Sequence, residues 1–385
     1  MKWAWVQVLG LVIPWVAPAE ERPWVRHVID DGLAGADGVR LGDVNGDGRP
    51  DVTTGWEEGG TIRVCLHPGK EKVKEKWPGV SVGKVGSPED AVFVDLDGDG
   101  NVDVVSSCEG KTRSIFFHFA PAREKILEAK EWKTVALPAS AEKQWMFCLP
   151  MQVDGVRGID LVCGGKNKGA EIGWFESPLN PRKVEDWIWH PMREAGWIMS
   201  LVAVDMDGDG YLDVLFSDRR GARNGAYWLE NPTWKEHAIG AVGKEAMFLA
   251  RGDLDEDGLE DVVVATRPKD LIWLKRLDKN GDRWESHVIA IPEEAGTAKG
   301  VAIGDVDGDG KMDLVFSCEN AKEKLGVMWM KQVEGKWEAH DIGGKEGEKF
   351  DLVELIDLDG DGDLDVMTTE ERELNAVIWY QNPAK

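Results

Sequence analysis

Asp305-Val306-Asp307-Gly308-Asp309-Gly310-Lys311-Met312-Asp313 sets carboxylates at positions 1, 3, 5 and 9 of a nine-residue loop, and the chain repeats this pattern along its length. Asp95, Asp97, Asp99 and Asp103 form an equally complete copy, as do Asp205, Asp207, Asp209 and Asp213. Three more keep the frame: Asp43, Asn45, Asp47 and Asp51; Asp253, Asp255, Asp257 and Asp261; and Asp357, Asp359, Asp361 and Asp365. A seventh is degenerate, with Gln152 and Val156 at positions 1 and 5 and only Asp154 and Asp160 left. The loops start 48 to 57 residues apart along the 385-residue chain. A fixed period of that size marks a propeller or solenoid array.

The pattern fits a hard cation. Calcium takes about 6–8 oxygen ligands, and four side chains with a backbone carbonyl go far toward that shell. The glycine at position 6 permits the sharp turn that brings them together. An EF-hand would add a bidentate Glu at position 12 and flanking helices. Here position 12 is Thr54, Ser106 or Phe216, and β-prone runs such as Asp313-Leu314-Val315-Phe316 follow the loops. A solvated turn needs one or two Asp, not four at fixed offsets. Six structural Ca²⁺ sites are therefore expected, one in each intact loop, and none in the third. Without a cation the grouped carboxylates would repel one another and raise each other's pKa, in a chain whose net charge is already −25.

Residues 1–19 read as a signal peptide: a basic Met1-Lys2 start, an apolar stretch from Trp3 to Val16, and Ala17-Pro18-Ala19 as a cleavage signature before Glu20. The expected compartment is extracellular or periplasmic, where calcium can fill weak sites. No second hydrophobic span exists, so no membrane span is expected. The remaining 20–385 contain no linker or low-complexity tract and read as one domain. The five cysteines do not form a disulfide framework. Cys148 and Cys163 are placed to lie on neighbouring strands, and buried free thiols are the expectation for all.

Each repeat divides into four strands. Strand A precedes the loop and strand B follows it. Strand C carries Trp174, Trp228, Trp273, Trp329 or Trp379. Strand D reads Trp-x-x-His, as in Trp234/His237, Trp284/His287 and Trp337/His340. Four short strands per repeat make a propeller blade. The last repeat ends after strand C, while Trp24 to Ile29 is an orphan strand D. Pairing the two closes the ring and removes a sheet edge. The predicted fold is an all-β, seven-bladed β-propeller whose last blade is completed by the N-terminal strand.

The Asp-x-Asp-Gly-Asp-Gly-x-x-Asp loops after Val-rich strands resemble the FG-GAP/VCBS repeat family, which includes integrin-α-like propellers. The resemblance covers essentially all of 20–385 and implies calcium in these turns. The third loop departs from it. The family spans adhesion heads, secreted bacterial proteins and sugar lyases or dehydratases, so fold does not select a function.

The loops opposite the calcium turns carry an uneven charge. Lys111, Arg113, Lys143, Lys166, Lys168, Arg193, Arg219, Arg220 and Arg223 oppose only Glu109, Glu142, Glu194 and Asp218, in a chain where acids outnumber cations 71 to 46. Such a patch steers anionic ligands locally, while the whole molecule repels polyanions such as nucleic acids. Trp145 and Trp197 lie in the same loops, where an indole can stack on a sugar ring. The expected ligand-binding set is Lys166, Lys168, Arg193, Trp197, Arg219, Arg220 and Arg223. The expected partner is an anionic polysaccharide or a cell-surface protein, bound by a monomer. An alternative is a lyase or dehydratase acting by β-elimination on a uronate or keto-sugar. There His190 would be the base, and Lys166, Arg193 or Arg219 would hold the enolate. His27, His237, His287 and His340 recur at one outer-strand position and read as packing residues. No nucleophile elbow, phosphate loop, zinc spacing or dinucleotide fingerprint is present.

Overall fold

The computed structural model describes residues 23–156 and 158–383; the signal peptide expected at 1–19 lies outside them. Seven four-stranded antiparallel sheets surround a central channel. The blades span 36–84, 88–136, 144–194, 198–240, 245–290 and 297–341, and the seventh joins 350–381 to 25–30. Strand order within each sheet is A-B-C-D from the channel outward, and every strand A packs against strand A of the next blade, the first against the last included.

The ring closes as the repeat arithmetic predicts. Val25–Asp30 becomes the outermost strand of the seventh blade and pairs with Ala376–Gln381, His27 lying opposite Trp379. That histidine rests on its tryptophan with ring centroids 4.6 Å apart. The same contact recurs for Trp174–His190, Trp228–His237, Trp273–His287 and Trp329–His340. The repeated histidines are thus cross-strand packing partners, a pairing that stabilises sheets on its own account.

Strand B is buried end to end in most blades, because it faces neighbouring sheets on both sides: Asp51–Trp56, Asp103–Cys108 and Asp213–Asp218 are entirely buried. All five cysteines are free and buried. Cys148 and Cys163 lie opposite each other on adjacent strands, their thiols 3.3 Å apart.

Candidate functional site

On one face of the propeller lie the A–B loops. Each intact loop folds on its own aspartates: the position-1 carboxylate of Asp205 accepts the amides of Gly208 at 2.8 Å and Gly210 at 3.1 Å, and Asp207 accepts that of Asp209. Positions 4 and 6 adopt left-handed backbone, as at Gly208 and Gly210, with Glu256 the one non-glycine among the described residues at position 4. The carboxylate oxygens of Asp95, Asp97 and Asp99, of Asp205, Asp207 and Asp213, and of Asp253, Asp255 and Asp257 lie within 4.8 Å of one another. Oδ1 of Asp255 is buried with no hydrogen-bond partner among the described residues. An all-oxygen set of this density fits a hard divalent cation. Several loops also draw a cation from the chain: Lys275 pairs with Asp255 and Asp257, Lys331 with Asp307, Arg182 with Asp97 and Asp99, and Arg49 with Asp47.

The ninth aspartate has a further task. Asp51 accepts the amides of Val44 at 2.9 Å and His67 at 2.8 Å. Asp103, Asp160, Asp213, Asp261 and Asp365 repeat the arrangement, each joining its A–B loop to its C–D loop; Asp313 accepts the Val306 amide. All seven are buried, and burial pushes Asp51 up to about 6 and Asp103 to about 7. The C–D residue held in this way reaches back to the preceding blade in four cases. His67 contacts the Leu358 carbonyl, Asn231 donates to Val153, Arg276 to Met206 and Asn382 to Val306. Asp160 keeps its staple although its loop has lost two calcium positions, so the staple stands independently of a metal.

At the opposite end of the channel is a cavity of about 270 Å³. Two layers of side chains build its wall. Every strand A carries a β-bulge near its start. The residues at or beside it, Asp37, Glu89, Met146, Met199, Phe248, Lys299 and Asp351, line the cavity. The residue six after each ninth aspartate forms a second ring, Glu57, Glu109, Lys166, Arg219, Arg267, Glu319 and Glu371, of which all but Arg267 and Glu371 line the cavity. This upper ring is segregated by charge. Its three cations come from blades three to five and its four acids from blades six, seven, one and two.

Where the halves meet, the charges neutralise. Lys166 is buried and pairs with Glu109 and, at 2.8 Å, with Glu89; Arg267 pairs with Glu319. Lys299 is held between Asp351 and, at 3.0 Å, Glu371. Burial alone would lower its pKa, yet the two carboxylates hold it well above the ordinary lysine value. Arg219 is less satisfied. Its nearest carboxylate is Glu245 at 3.4 Å, and burial together with neighbouring Arg267 lowers its pKa.

Trp197 stands over the cationic half. Lys166 Nζ lies 4.6 Å from its ring, and the guanidinium carbons of Arg219 and Arg220 lie at 4.7 and 4.6 Å. Buried Asp218 fixes its backbone, accepting the Trp197 amide at 2.8 Å. Arg193 in turn holds Asp218 at 2.7 Å, pairs with Glu236 and stacks against Phe216 and Tyr227. Arg193 is thereby buried behind the site rather than presented in it.

Of the residues expected to bind ligand, Lys166, Trp197 and Arg219 meet at the cavity, with Arg220 exposed beside the indole. Lys168 is exposed on a loop tip, and exposed Arg223 points its guanidinium to Glu236 and the Glu194 carbonyl. His190 lies on the outermost strand of its blade, stacked on Trp174 and bonded to Glu176 at 3.0 Å. It does not meet Lys166 or Arg219 on the channel side. The acids of the mouth other than Glu109 escaped the sequence reading, although counting six residues on from each ninth aspartate finds the upper ring.

The chain carries FG-GAP-like repeats: the model of that repeat matches residues 43–106 and 253–316, each stretch running from one loop through the next. None of the curated proteins compared with the chain matches it. Among solved structures it is similar to BBS1N in complex with ARL6DN, soaked with mercury, at 13% identity and a TM-score of 0.56 over 94% of this chain and 98% of that one. The same complex soaked with lead gives 12% identity and a TM-score of 0.55 over the same shares. At such identities the likeness is one of fold. No helix among the described residues is long and apolar enough to cross a membrane.

Proposed function

We propose that this chain is an exported, calcium-stabilised binding propeller that holds the anionic group of a glycan or of a cell-surface partner at its channel mouth. The observation that carries the reading is Arg219, buried beside a second arginine and under Trp197 in an open cavity. A buried guanidinium whose one ion pair among the described residues is the 3.4 Å contact to Glu245 favours an incoming carboxylate or sulfate, which it can meet in bidentate fashion. The indole offers an apolar platform at the same point. The cavity of about 270 Å³ matches a single sugar residue better than a protein surface. The complex of BBS1N with ARL6DN is a precedent for partner binding by a propeller of this shape.

Calcium belongs to the other face. Asp43, Asn45 and Asp47, and the matching triads at Asp95, Asp205, Asp253, Asp305 and Asp357, would supply its ligands, with the ninth aspartates as backing. The ion would neutralise clustered carboxylates and tie each loop shut, stabilising the fold by mass action. It takes no part in ligand capture, which lies across the channel.

Retention of calcium-loaded protein on polyuronate and sulfated-glycan columns tests the reading. Arg219→Gln and Trp197→Ala are expected to lose retention about tenfold or more, and Arg223→Gln to keep it. Equal retention of all three variants would exclude the cationic half of the mouth.

Elimination chemistry is the second reading, and one observation favours it. Glu89, whose pKa burial raises despite the Lys166 ammonium 2.8 Å away, lies in the same cavity as Arg219. A carboxyl group of raised pKa in one cavity with a cation is the pairing such a reaction needs. Growth of ultraviolet absorbance from an unsaturated product, on polyuronates or keto-sugars, would establish it. A flat trace leaves binding.

A further inference from the structure

The cationic half of the mouth faces an acidic half whose charge the chain does not balance. Asp37 is 7% exposed, lines the cavity, and receives no N–H or hydroxyl donor among the described residues. The Asp351 carboxyl lies beside it, and Lys299 and Lys349 act on it electrostatically without coming within ion-pair distance. Glu57 likewise has no lysine or arginine within ion-pair distance among the described residues, and its oxygens lie within 4.8 Å of those of Asp37 and Glu371 on one side and of Glu89 and Glu109 on the other. Burial, with Glu371 and Asp351 beside it, drives Asp37 well above the usual carboxylate range; burial and Glu109 raise Glu57. The remaining acids of this half have partners in Lys166, Lys299, Lys349 and Arg267.

The positions of the unbalanced groups are opposed. In a ring of seven consecutive blades the fourth faces the junction of the seventh and the first. Arg219 is on the fourth blade, and Asp37 and Glu57 are on the first. One cavity therefore presents an under-neutralised guanidinium on one wall and under-neutralised carboxylates on the wall across from it.

From this opposition we infer that the mouth binds a zwitterionic sugar unit, its carboxylate at Arg219 and a free primary ammonium between Asp37 and Glu57. This rests on the proposed capture of an anionic group and adds the second charge. An ammonium suits the acidic wall because its three N–H donors serve several carboxylates at once. It would also relieve the mutual repulsion of the clustered carboxylates.

The test is calorimetric titration of calcium-saturated protein with four probes: glucuronate, glucosamine, 2-amino-2-deoxyglucuronate and its N-acetyl derivative. The amino-uronate is expected to bind at least about tenfold more tightly than glucuronate, and N-acetylation to abolish the gain. Asp37→Asn with Glu57→Gln is expected to bring the amino-uronate down to the glucuronate level while leaving glucuronate unweakened. Equal affinities for amino-uronate and glucuronate would overturn the zwitterion and leave anion capture standing. Binding of none of the probes would overturn both. Bound calcium or manganese, counted by equilibrium dialysis, is expected to be equal in the wild type and the double variant. A loss of one ion in the variant would assign the acidic wall to a metal and overturn the ammonium. Should the double variant not fold, the four probes on wild-type protein still decide.

Discussion

Replacing Asp160 by alanine separates the architecture of the loops from their metal chemistry. Asp160 is fully buried and accepts the Val153 amide at 3.0 Å and the Ser177 amide at 2.8 Å. Its loop lacks the carboxylates at positions 1 and 5, so the effect should owe nothing to calcium. Each amide left unsatisfied in the interior costs about 1–3 kcal/mol, and bonds to a charged acceptor lie at the upper end. Against this, the substitution releases a buried carboxylate whose pKa burial already raises, which returns part of the loss. A net destabilisation of about 3 kcal/mol is expected. The assay is urea denaturation followed by tryptophan fluorescence, run with calcium and with a chelator. The same loop supplies a control: exposed Asp154 accepts the Val156 amide and no other among the described residues, and Asp154→Ala should cost under about 0.5 kcal/mol. A cost for Asp160→Ala below about 1 kcal/mol, or one that vanishes on chelation, would refute the staple.

Chelation itself is expected to lower the melting temperature of the wild type, since each site held at a hundredfold excess over its Kd contributes about 2.7 kcal/mol; an unchanged melting curve would count against calcium in the loops. Arg193→Ala should destabilise by about 3–5 kcal/mol by leaving Asp218 buried and uncompensated, readable in the same denaturation assay. His118 is buried between Ser106 and Thr134, and burial lowers its pKa to about 3. The unfolded chain therefore binds the extra proton first, and the stability this neutral histidine allows is lost as pH falls from about 6.5 toward 3, by about 1.4 kcal/mol per pH unit. The denaturation gap between wild type and His118→Gln should shrink over that window. Glu256→Gly should stabilise by about 0.5–1 kcal/mol, because Glu256 has φ of 59° at a position where the other loops use glycine; a drop in the denaturation midpoint would contradict this.

The blades were legible because their signals are local. A loop with four acids at fixed offsets, an aromatic on strand C and Trp-x-x-His on strand D each repeat with the period of the fold. The closure was legible because Trp24 to Ile29 copies strand D and the last repeat lacks one. The mouth was only half legible. Charges in one loop read alike in sequence, yet Lys166 enters the channel while Lys168 stays outside, and Arg219 is buried while Arg220 is exposed. The place at or just past the end of strand B decides between them, and the bulge in strand A sets what lies beneath. Asp37, Glu89, Lys299 and Asp351 sit at or beside those bulges, where alternation gives no sign that the side chain turns inward. Arg193 was misleading for another reason: an arginine among loop cations gives no hint that Asp218 and Glu236 will enclose it.

The bulges also separate two tasks that most binding sites entangle. A residue at a bulge has left the ladder of paired strands, so its identity matters little to the sheet that carries it. Six residues before each A–B loop the seven inner strands accordingly hold Asp37, Glu89, Met146, Met199, Met247, Lys299 and Asp351, each within the same four-stranded blade. Each blade thus contributes one letter to the lower layer of the mouth; unpaired letters such as Met146 and Met199 can be rewritten singly, and paired ones such as Lys299 and Asp351 together. A scaffold of this kind can change what it recognises by drift at one position per blade, with no blade refolded and no loop lengthened. Propellers with the same face of acidic loops and unrelated ligands are the expected outcome.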